Sequence, residues 1–206
     1  GVQQTKLREL ATRHADALVE VGAAPSLPVV LGIEGQAARG YFQGLELLAP
    51  GAAPGRTRRP ALDPVNCLLS FGYGMLRVAV HGALEQVGLD PYLGYLHGIR
   101  SGKPALALDL MEEFRPLLVD RLVLTLFNRG QVSPRHTESL PGGAVQLTDD
   151  GRRVFLEHWS TARERSWHHA GLGRDIPTAL LPLVQSRLLA RHLRGDSESY
   201  LPWTVT

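Results

Sequence analysis

One long segment, residues 64–87, is apolar on almost every side and constrains the fold more than any other part of the chain. A helix with that pattern has to be enclosed by other elements, because its apolar surface would otherwise face water. Asp63 and Pro64 precede it as an N-cap acid and a proline at the first helical position. The sequence therefore predicts a central buried helix, in which the polar side chains of Asn66 and Tyr73 need partners.

Amphipathic segments flank this central helix, and strand patterns are nearly absent. Pro25 and Pro28 predict an irregular connector after the first of these segments. Pro141-Gly142-Gly143 indicates a short hairpin, and the segment WHHAGLGRDIP is interpreted as a break between helices. The periodicity predicts further helices over residues 3–21, 33–48, 105–128, 147–166 and 176–194.

The predicted fold class is all-α, with a linker helix and connector over residues 1–28 and a compact multi-helix domain over residues 29–206. A hydrophobic fraction of 44% in 206 residues is enough for one core. No uninterrupted apolar run reaches the roughly 18 residues of a membrane span, so no membrane contact is expected. The chain begins with Gly1 rather than methionine, which predicts a fragment of a longer protein.

The basic residues are nearly all arginine, since Lys6 and Lys103 are the only lysines among 22 Lys and Arg residues. The planar guanidinium suits bidentate contacts with phosphate, although GC-rich codon usage explains the same bias. A Pro/Gly-rich loop over residues 49–61 carries three arginines without an acid. The loop is predicted to be either a phosphate clamp or a solvated connection; its arginines are Arg56, Arg58 and Arg59.

The stretch LHGIRSGKPALALDLMEEFRP, residues 96–116, carries most of the candidate chemistry. His97 lies on a turn, and Asp109, Glu112 and Glu113 follow at the predicted start of a helix. An imidazole with several carboxylates suits Mg²⁺ or Mn²⁺ better than zinc, because oxygen ligands dominate. The alternative is that the acids only complement the positive end of the helix dipole.

A second candidate ligand, Glu34, falls in the first turn of the helix predicted over residues 33–48, where the same two interpretations apply. Gly40 and Gly44 in that helix favour close approach of another backbone or of DNA. Cys67 is the only cysteine, which excludes an internal disulfide and cysteine-based zinc sites and indicates a reducing cytoplasm.

Four blocks of this sequence resemble one known family. They are EGQAARGYF, RRPALDPVNCLLSFGYGML, LDPYLGYLHGIRSGKPALALDLMEEFRPLLVDRLV and VQLTDDGRRVFLEHW. The chain resembles, over roughly residues 33–194, the C-terminal helical domain of the CRISPR-associated spacer-acquisition integrases, the Cas-one family. The resemblance implies an all-α catalytic domain with one Mg²⁺ or Mn²⁺ site. Its implied ligands are Glu34, His97 and Glu112, with Asp109 beside them.

The same resemblance implies a metal-dependent DNA endonuclease and integrase that acts in antiviral defence. It would join the 3′-OH of a DNA fragment into a CRISPR repeat. The implied partners are double-stranded DNA (protospacer and repeat) and a Cas-two-type adaptor protein. Arg58, Arg59 and Arg115 are the predicted phosphate contacts. Two alternatives remain: a non-catalytic helical DNA-binding or assembly module, and an integrase of a transposon-borne relative.

One part of the family's pattern does not occur in this sequence. Members of the family carry an N-terminal β-rich domain that helps to form a homodimer, and no segment here resembles it. The expected explanations are truncation of that domain or its replacement in a fusion, for example with a reverse transcriptase.

Overall fold

Seven α-helices and two short hairpins form the part of the chain that the structure, a computed structural model, describes: residues 1–49, 56–57 and 60–204. The helices are α1 Val2–Gly22, α2 Leu27–Leu48, α3 Pro64–Gln86, α4 Ala105–Met111, α5 Arg121–Asn128, α6 Asp149–Glu164 and α7 Leu181–Leu193. The strands are β1 Thr137–Ser139, β2 Val145–Leu147, β3 Ser166–His169 and β4 Arg174–Pro177, paired antiparallel as β1–β2 and β3–β4. The all-α fold class is thereby confirmed.

Helix α3 is the centre of the core, as its apolar pattern predicts. Asp63 caps it by accepting a hydrogen bond from the backbone N–H of Asn66 at 2.8 Å. The helix contacts α4, α5, α7, β2 and a π-helical segment, Arg115–Asp120. Gly72 lets that segment approach, since a Cβ there would lie 2.6 Å from Cγ1 of Val119.

Within the described residues, α3 alone is long and apolar enough to cross a membrane by length and composition. That finding differs from the expectation that no segment qualifies. A buried core helix passes the same test, and α3 is buried against five other elements.

Helices α1 and α2 form an antiparallel pair. A Cβ added at Gly40 would lie 3.5 Å from Leu10, and one added at Gly44 would lie 3.8 Å from Leu7. The two glycines therefore receive side chains of α1. Helix α2 begins at Leu27 rather than near residue 33.

The earlier start of α2 has a simple cause. Pro28 lies in the first turn, where its missing N–H would have no helical partner in any case. The predicted domain boundary at residue 28 consequently falls inside the first turn of α2.

The helix predicted over residues 105–128 is interrupted. Helix α4 ends at Met111, a turn covers residues 112–114, and the π-helical segment leads into α5. Pro116 explains the break, because it offers no N–H to the carbonyl of Glu112 and its ring clashes with that carbonyl in a regular helix.

The sequence predicted one of the two hairpins but not the other. The hairpin predicted around residues 141–143 is confirmed as β1–β2, and the side chain of Thr148 caps α6 by accepting the N–H of Gly151. The segment WHHAGLGRDIP, interpreted as a break, instead forms most of the β3–β4 hairpin, which turns at Gly173 with φ +61°. The C-terminal residues pack back on the core, where Trp203 is 4% exposed.

Candidate functional site

A cleft of about 440 Å³ opens between α2, α3, the connector after α3 and the end of α4. It brings together the three side chains predicted as metal ligands, Glu34, His97 and Glu112. The dipole explanation for these acids is wrong. Glu34 lies about two turns into α2, and Glu112 caps the C-terminal, negative end of α4. A carboxylate at that end is disfavoured by the helix, so another interaction has to hold it there.

His97 is held by the carboxylate of Asp109. Nδ1 of His97 lies 2.6 Å from Oδ1 of Asp109, whose two oxygens also accept the backbone N–H groups of Tyr95, Leu96 and His97. Because Nδ1 donates its hydrogen to Asp109, Nε2 carries the free lone pair of the ring. The four donors use the four acceptor positions of the carboxylate. This arrangement favours Asp109 as the support of His97 and not as a metal ligand itself.

The contact between the turn and α4 requires a glycine, which the sequence analysis passed over. A Cβ at Gly94 would lie 2.6 Å from the backbone carbon of Ala105 and 2.8 Å from Oδ2 of Asp109. In the sequence, the feature that could have indicated this contact is the glycine three residues before His97. Gly94 therefore sets how closely the histidine turn can approach Asp109.

The two glutamates of the cleft have different surroundings. Glu34 is exposed on α2 and has no hydrogen-bond or ion-pair partner among residues 1–49, 56–57 and 60–204. Glu112 is bound by Arg115, whose Nη1 lies 2.6 Å from both of its carboxylate oxygens. Glu34 is thus open to a ligand, whereas Glu112 has to exchange Arg115 for one.

Arg115 lies beneath the cleft rather than on its surface. Its side chain is 15% exposed, and its guanidinium stands 4.5 Å from the ring centre of Tyr73. Burial opposes the charge, but the Glu112 carboxylate reverses that effect and raises the pKa of Arg115. As a phosphate contact, Arg115 would first have to release Glu112. The other two predicted phosphate contacts, Arg58 and Arg59, lie outside the described residues.

A buried acid, Asp120, supports Arg115 through a tyrosine. The carboxylate of Asp120 is 1% exposed and accepts hydrogen bonds from the hydroxyls of Tyr41 and Tyr73. Burial raises the pKa of Asp120 above its ordinary value, against the effect of those two donors. Arg115 and Asp120 begin and end the π-helical segment, and its wider i to i+5 turn directs both toward Tyr73. Sequence spacing gave no sign of this contact, because it depends on the π turn.

Three cations besides Arg115 shape the electrostatics of the cleft. Arg77 and Lys103 line it together with Arg56 and Arg115, so four cations surround the acids. Arg56 donates to Oδ1 of Asn66 at 2.8 Å and to Oγ of Ser70 at 2.9 Å, which fixes it against α3. The surplus of positive charge suits a polyanion such as the DNA backbone.

Glu113 points away from the cleft. Its carboxylate accepts hydrogen bonds from the hydroxyl of Tyr200, from the backbone N–H of Trp203 at 2.9 Å and from Nε2 of Gln185 at 2.7 Å. Burial raises the pKa of Glu113, although these donors favour its ionised form. The turn after α4 therefore sends two adjacent glutamates in different directions, Glu112 into the cleft and Glu113 into the core.

The side chains of Glu34, His97 and Glu112 are chemically suited to a divalent cation, but in this structure they are too far apart to bind one together. An imidazole with a free Nε2 and two carboxylates is a suitable set for Mg²⁺ or Mn²⁺. Across the described ranges, no three His, Cys, Asp or Glu side chains are grouped closely enough to hold an ion as they stand. Because Arg115 holds both carboxylate oxygens of Glu112, Glu112 would have to leave Arg115 before it could join Glu34 and His97 around an ion.

Comparison with known proteins now identifies the family. The family described as CRISPR associated protein Cas1 matches residues 2–161. This chain belongs to the Cas1 family. It is the family that the four sequence blocks resemble, and the resemblance is confirmed.

Curated relatives extend the match across nearly the whole chain. The "CRISPR-associated endonuclease Cas1 1" of Moorella thermoacetica is 46% identical over 202 residues, which cover 96% of this chain and 59% of that protein. A similar protein of Rhodospirillum rubrum, also 46% identical, shows the same coverage. The Cas1 chain described here thus spans about 59% of the length of these relatives.

A solved structure shares the fold. The "Casposase bound to integration product" superposes with a TM-score of 0.84 at 25% identity, covering 96% of this Cas1 chain and 58% of the casposase chain.

Proposed function

We propose that this Cas1 chain provides the catalytic cleft of a divalent-metal-dependent DNA endonuclease and integrase that acts in CRISPR spacer acquisition. The observation that carries the proposal is the convergence of Glu34, His97 and Glu112 from three separate parts of the sequence on one cation-lined cleft. A non-catalytic module has no need for an acid that is unpaired within the described residues, Glu34, and a carboxylate at the negative end of a helix, Glu112, at such a point.

Each residue has a distinct part in the proposed chemistry. Glu34, Nε2 of His97 and Glu112 would hold Mg²⁺ or Mn²⁺, which when bound would polarise the scissile phosphate and stabilise the charge that develops on its oxygens. Asp109 keeps His97 in the tautomer that presents Nε2. Arg77 and Lys103 contribute positive charge that attracts and orients the DNA backbone.

The proposed substrate is double-stranded DNA. The 3′-OH of a protospacer would attack a phosphodiester of the CRISPR repeat and form a new P–O bond, while the P–O bond to the 3′-oxygen of the neighbouring repeat nucleotide breaks and that oxygen leaves as a 3′-OH. Water in place of the protospacer 3′-OH would break the same bond and nick the strand. The relatives named as endonucleases and the casposase bound to its integration product support this choice.

The proposed partners come from a second structural comparison. The "Cas6-RT-Cas1--Cas2 complex" superposes with a TM-score of 0.84 at 26% identity, covering 98% of this chain and 22% of that one. By this likeness we propose a Cas2 adaptor as the partner in the cytoplasm. The same likeness supports the proposal of a fusion to a reverse transcriptase. The proposal of a homodimer rests on the family resemblance alone.

The test of catalysis is Mn²⁺-dependent cleavage of DNA by single glutamine variants. Glu34→Gln and His97→Gln should each reduce cleavage at least about 100-fold, because losing a ligand removes the charge stabilisation that the ion supplies. Glu46→Gln is the matched control, since Glu46 also lies on α2 but outside the cleft.

Equal cleavage by Glu34→Gln, His97→Gln and the control would refute the metal site and leave the non-catalytic module as the explanation. The transposon-borne alternative rests on the likeness to the casposase. Integration that prefers other DNA targets to a CRISPR repeat would favour it.

A further inference from the structure

The turn that carries Glu112 is weakly restrained by its own backbone. The N–H of Glu112 lies 3.3 Å from the carbonyl oxygen of Asp109, and the N–H of Glu113 lies 3.4 Å from that of Leu110. Both distances exceed the usual 2.9–3.0 Å of a backbone hydrogen bond. The N–H of Phe114 does bond the carbonyl oxygen of Met111 at 3.0 Å, but Pro116 has no N–H to bond the carbonyl of Glu112. Arg115 holds the carboxylate of Glu112 in this structure. Once that pair opens, the direction of Glu112 depends on the contacts that hold its turn from elsewhere.

Those contacts come from a C-terminal segment, residues 200–203, which we call the tail clamp. Tyr200 and Trp203 both donate hydrogen bonds to the carboxylate of Glu113. The indole of Trp203 also stacks on Phe114 with ring centres 6.0 Å apart and planes 29° from parallel. The two residues directly after Glu112 are thus held by the same short segment.

A buried glutamine completes the clamp. Nε2 of Gln185, which is 0% exposed, bonds Glu113 and the hydroxyl of Tyr200, and it lies 3.2 Å from the carbonyl oxygen of Leu201. Its Oε1 lies 2.9 Å from Nε2 of His169. The amide of Gln185 therefore has hydrogen-bond partners at its nitrogen and at its oxygen. It connects α7 to the turn that carries Glu112 and Glu113.

The clamp and Glu113 depend on each other. A buried carboxylate that loses its hydrogen-bond donors keeps its desolvation cost without compensation. Departure of the tail clamp would leave Gln185 as the donor to Glu113 within the described residues. Glu113 would then move toward water, and the adjacent Glu112 would move with it.

We propose that the tail clamp positions Glu112 for metal binding, with Glu113 as the buried anchor. The inference rests on the proposed function of the cleft. The family model matches residues 2–161, whereas Gln185, Tyr200 and Trp203 all lie after that stretch. Glu113 and Tyr200 are positioning residues, since neither lines the cleft.

The experiment measures Mn²⁺ binding without DNA by isothermal titration calorimetry. Tyr200→Phe removes one hydroxyl from the anchor and keeps the ring. It should weaken Mn²⁺ binding by about 10-fold, at the lower end of the loss seen when a metal ligand loses its supporting group. Amide exchange of Glu113 and Phe114 should accelerate in the same variant without metal. Tyr92→Phe is the matched control, because the ring of Tyr92 packs on His81 away from the turn.

An Mn²⁺ dissociation constant in Tyr200→Phe equal to that of Tyr92→Phe would overturn the inference, whatever the exchange rates. The Glu34→Gln variant separates this failure from failure of the proposed function. Weak Mn²⁺ binding in Glu34→Gln with normal binding in Tyr200→Phe refutes the clamp alone. Normal binding in Glu34→Gln refutes the metal site and, with it, the role given to the clamp.

Discussion

The carboxylate of Asp109 performs two tasks with one set of lone pairs. It shapes the histidine turn through three backbone N–H groups, and it selects the tautomer of His97 through the ring N–H. A neutral amide could not accept all four hydrogen bonds, because its NH₂ group donates. The acid at this position is therefore explained by the turn as well as by the ion that His97 would bind.

Gly94→Ala tests how much the close contact between the turn and α4 contributes. The added methyl group would collide with the backbone of Ala105 at 2.6 Å, and backbone cannot rotate away. We expect the free energy of unfolding to fall by about 1–3 kcal/mol, the usual cost of overpacking. Urea unfolding measures the change.

Gly98→Ala is the control for this experiment, since no described atom lies within 4 Å of a Cβ at that position. The collision would be ruled out as a constraint if the two alanine variants unfolded at the same urea concentration.

At the scale of the element, Pro116 shapes the site more than any ligand does. Pro116→Ala would restore the N–H that can bond the carbonyl of Glu112, and α4 could then continue through the turn. We expect unchanged or higher helix content and stability, together with a loss of Mn²⁺ affinity because Glu112 would rotate out of the cleft. Circular dichroism and calorimetry measure the two effects.

Pro182→Ala provides a control at a second proline, which lies in the first turn of α7, away from the cleft. Full retention of Mn²⁺ affinity in Pro116→Ala would show that the interruption of the helix does not orient Glu112.

Sequence periodicity predicted the helices well and their interruptions poorly. Apolar spacing located α1, α3, α6 and α7. Helices α3, α6 and α7 bury side chains in the core, whereas α1 has no buried residue and packs on α2. The two prolines that mattered had opposite effects. Pro28 begins a helix and Pro116 breaks one, a difference that depends on how many turns precede each residue. The β3–β4 hairpin has strands of only four residues, too short for a pattern to emerge.

At the scale of the whole molecule, the family resemblance of the sequence selected the candidate ligands, but it did not indicate the residues that support them. Glu34, His97 and Glu112 belong to local patterns, and the fold brings all three to one cleft. The supports of the site join distant parts of the chain: Tyr41 bonds Asp120, and Tyr200 bonds Glu113. Such pairs are fixed only when packing decides which faces of the helices meet.

Asp120 joins α2 and α3 to the π-helical segment, so its protonation state affects the stability of the whole domain. We expect that stability to depend on pH. Burial raises its pKa above the ordinary 3.8. Between that value and the raised one, the folded state holds a proton that the unfolded state lacks. The contribution of Asp120 to stability should therefore grow as pH falls through this window and be lost as pH rises.

The measurement compares the free energy of unfolding of the wild type and of Asp120→Asn from about pH 7 down to about pH 4, just above the ordinary carboxyl pKa. The difference should move in favour of the wild type at the lower pH, because other groups titrate alike in both proteins. A difference that stays constant would show that Asp120 remains ionised throughout.

The anchoring of Glu113 also has a consequence during protein synthesis. Tyr200 follows Glu113 by 87 residues, so a ribosome produces the cleft residues well before the segment that holds their turn in place. A chain still being translated would expose Glu34, His97 and Glu112 without a fixed Glu112. If the cleft and the tail clamp act as we propose, metal binding at the cleft would become possible only after the segment containing Tyr200 has emerged and folded.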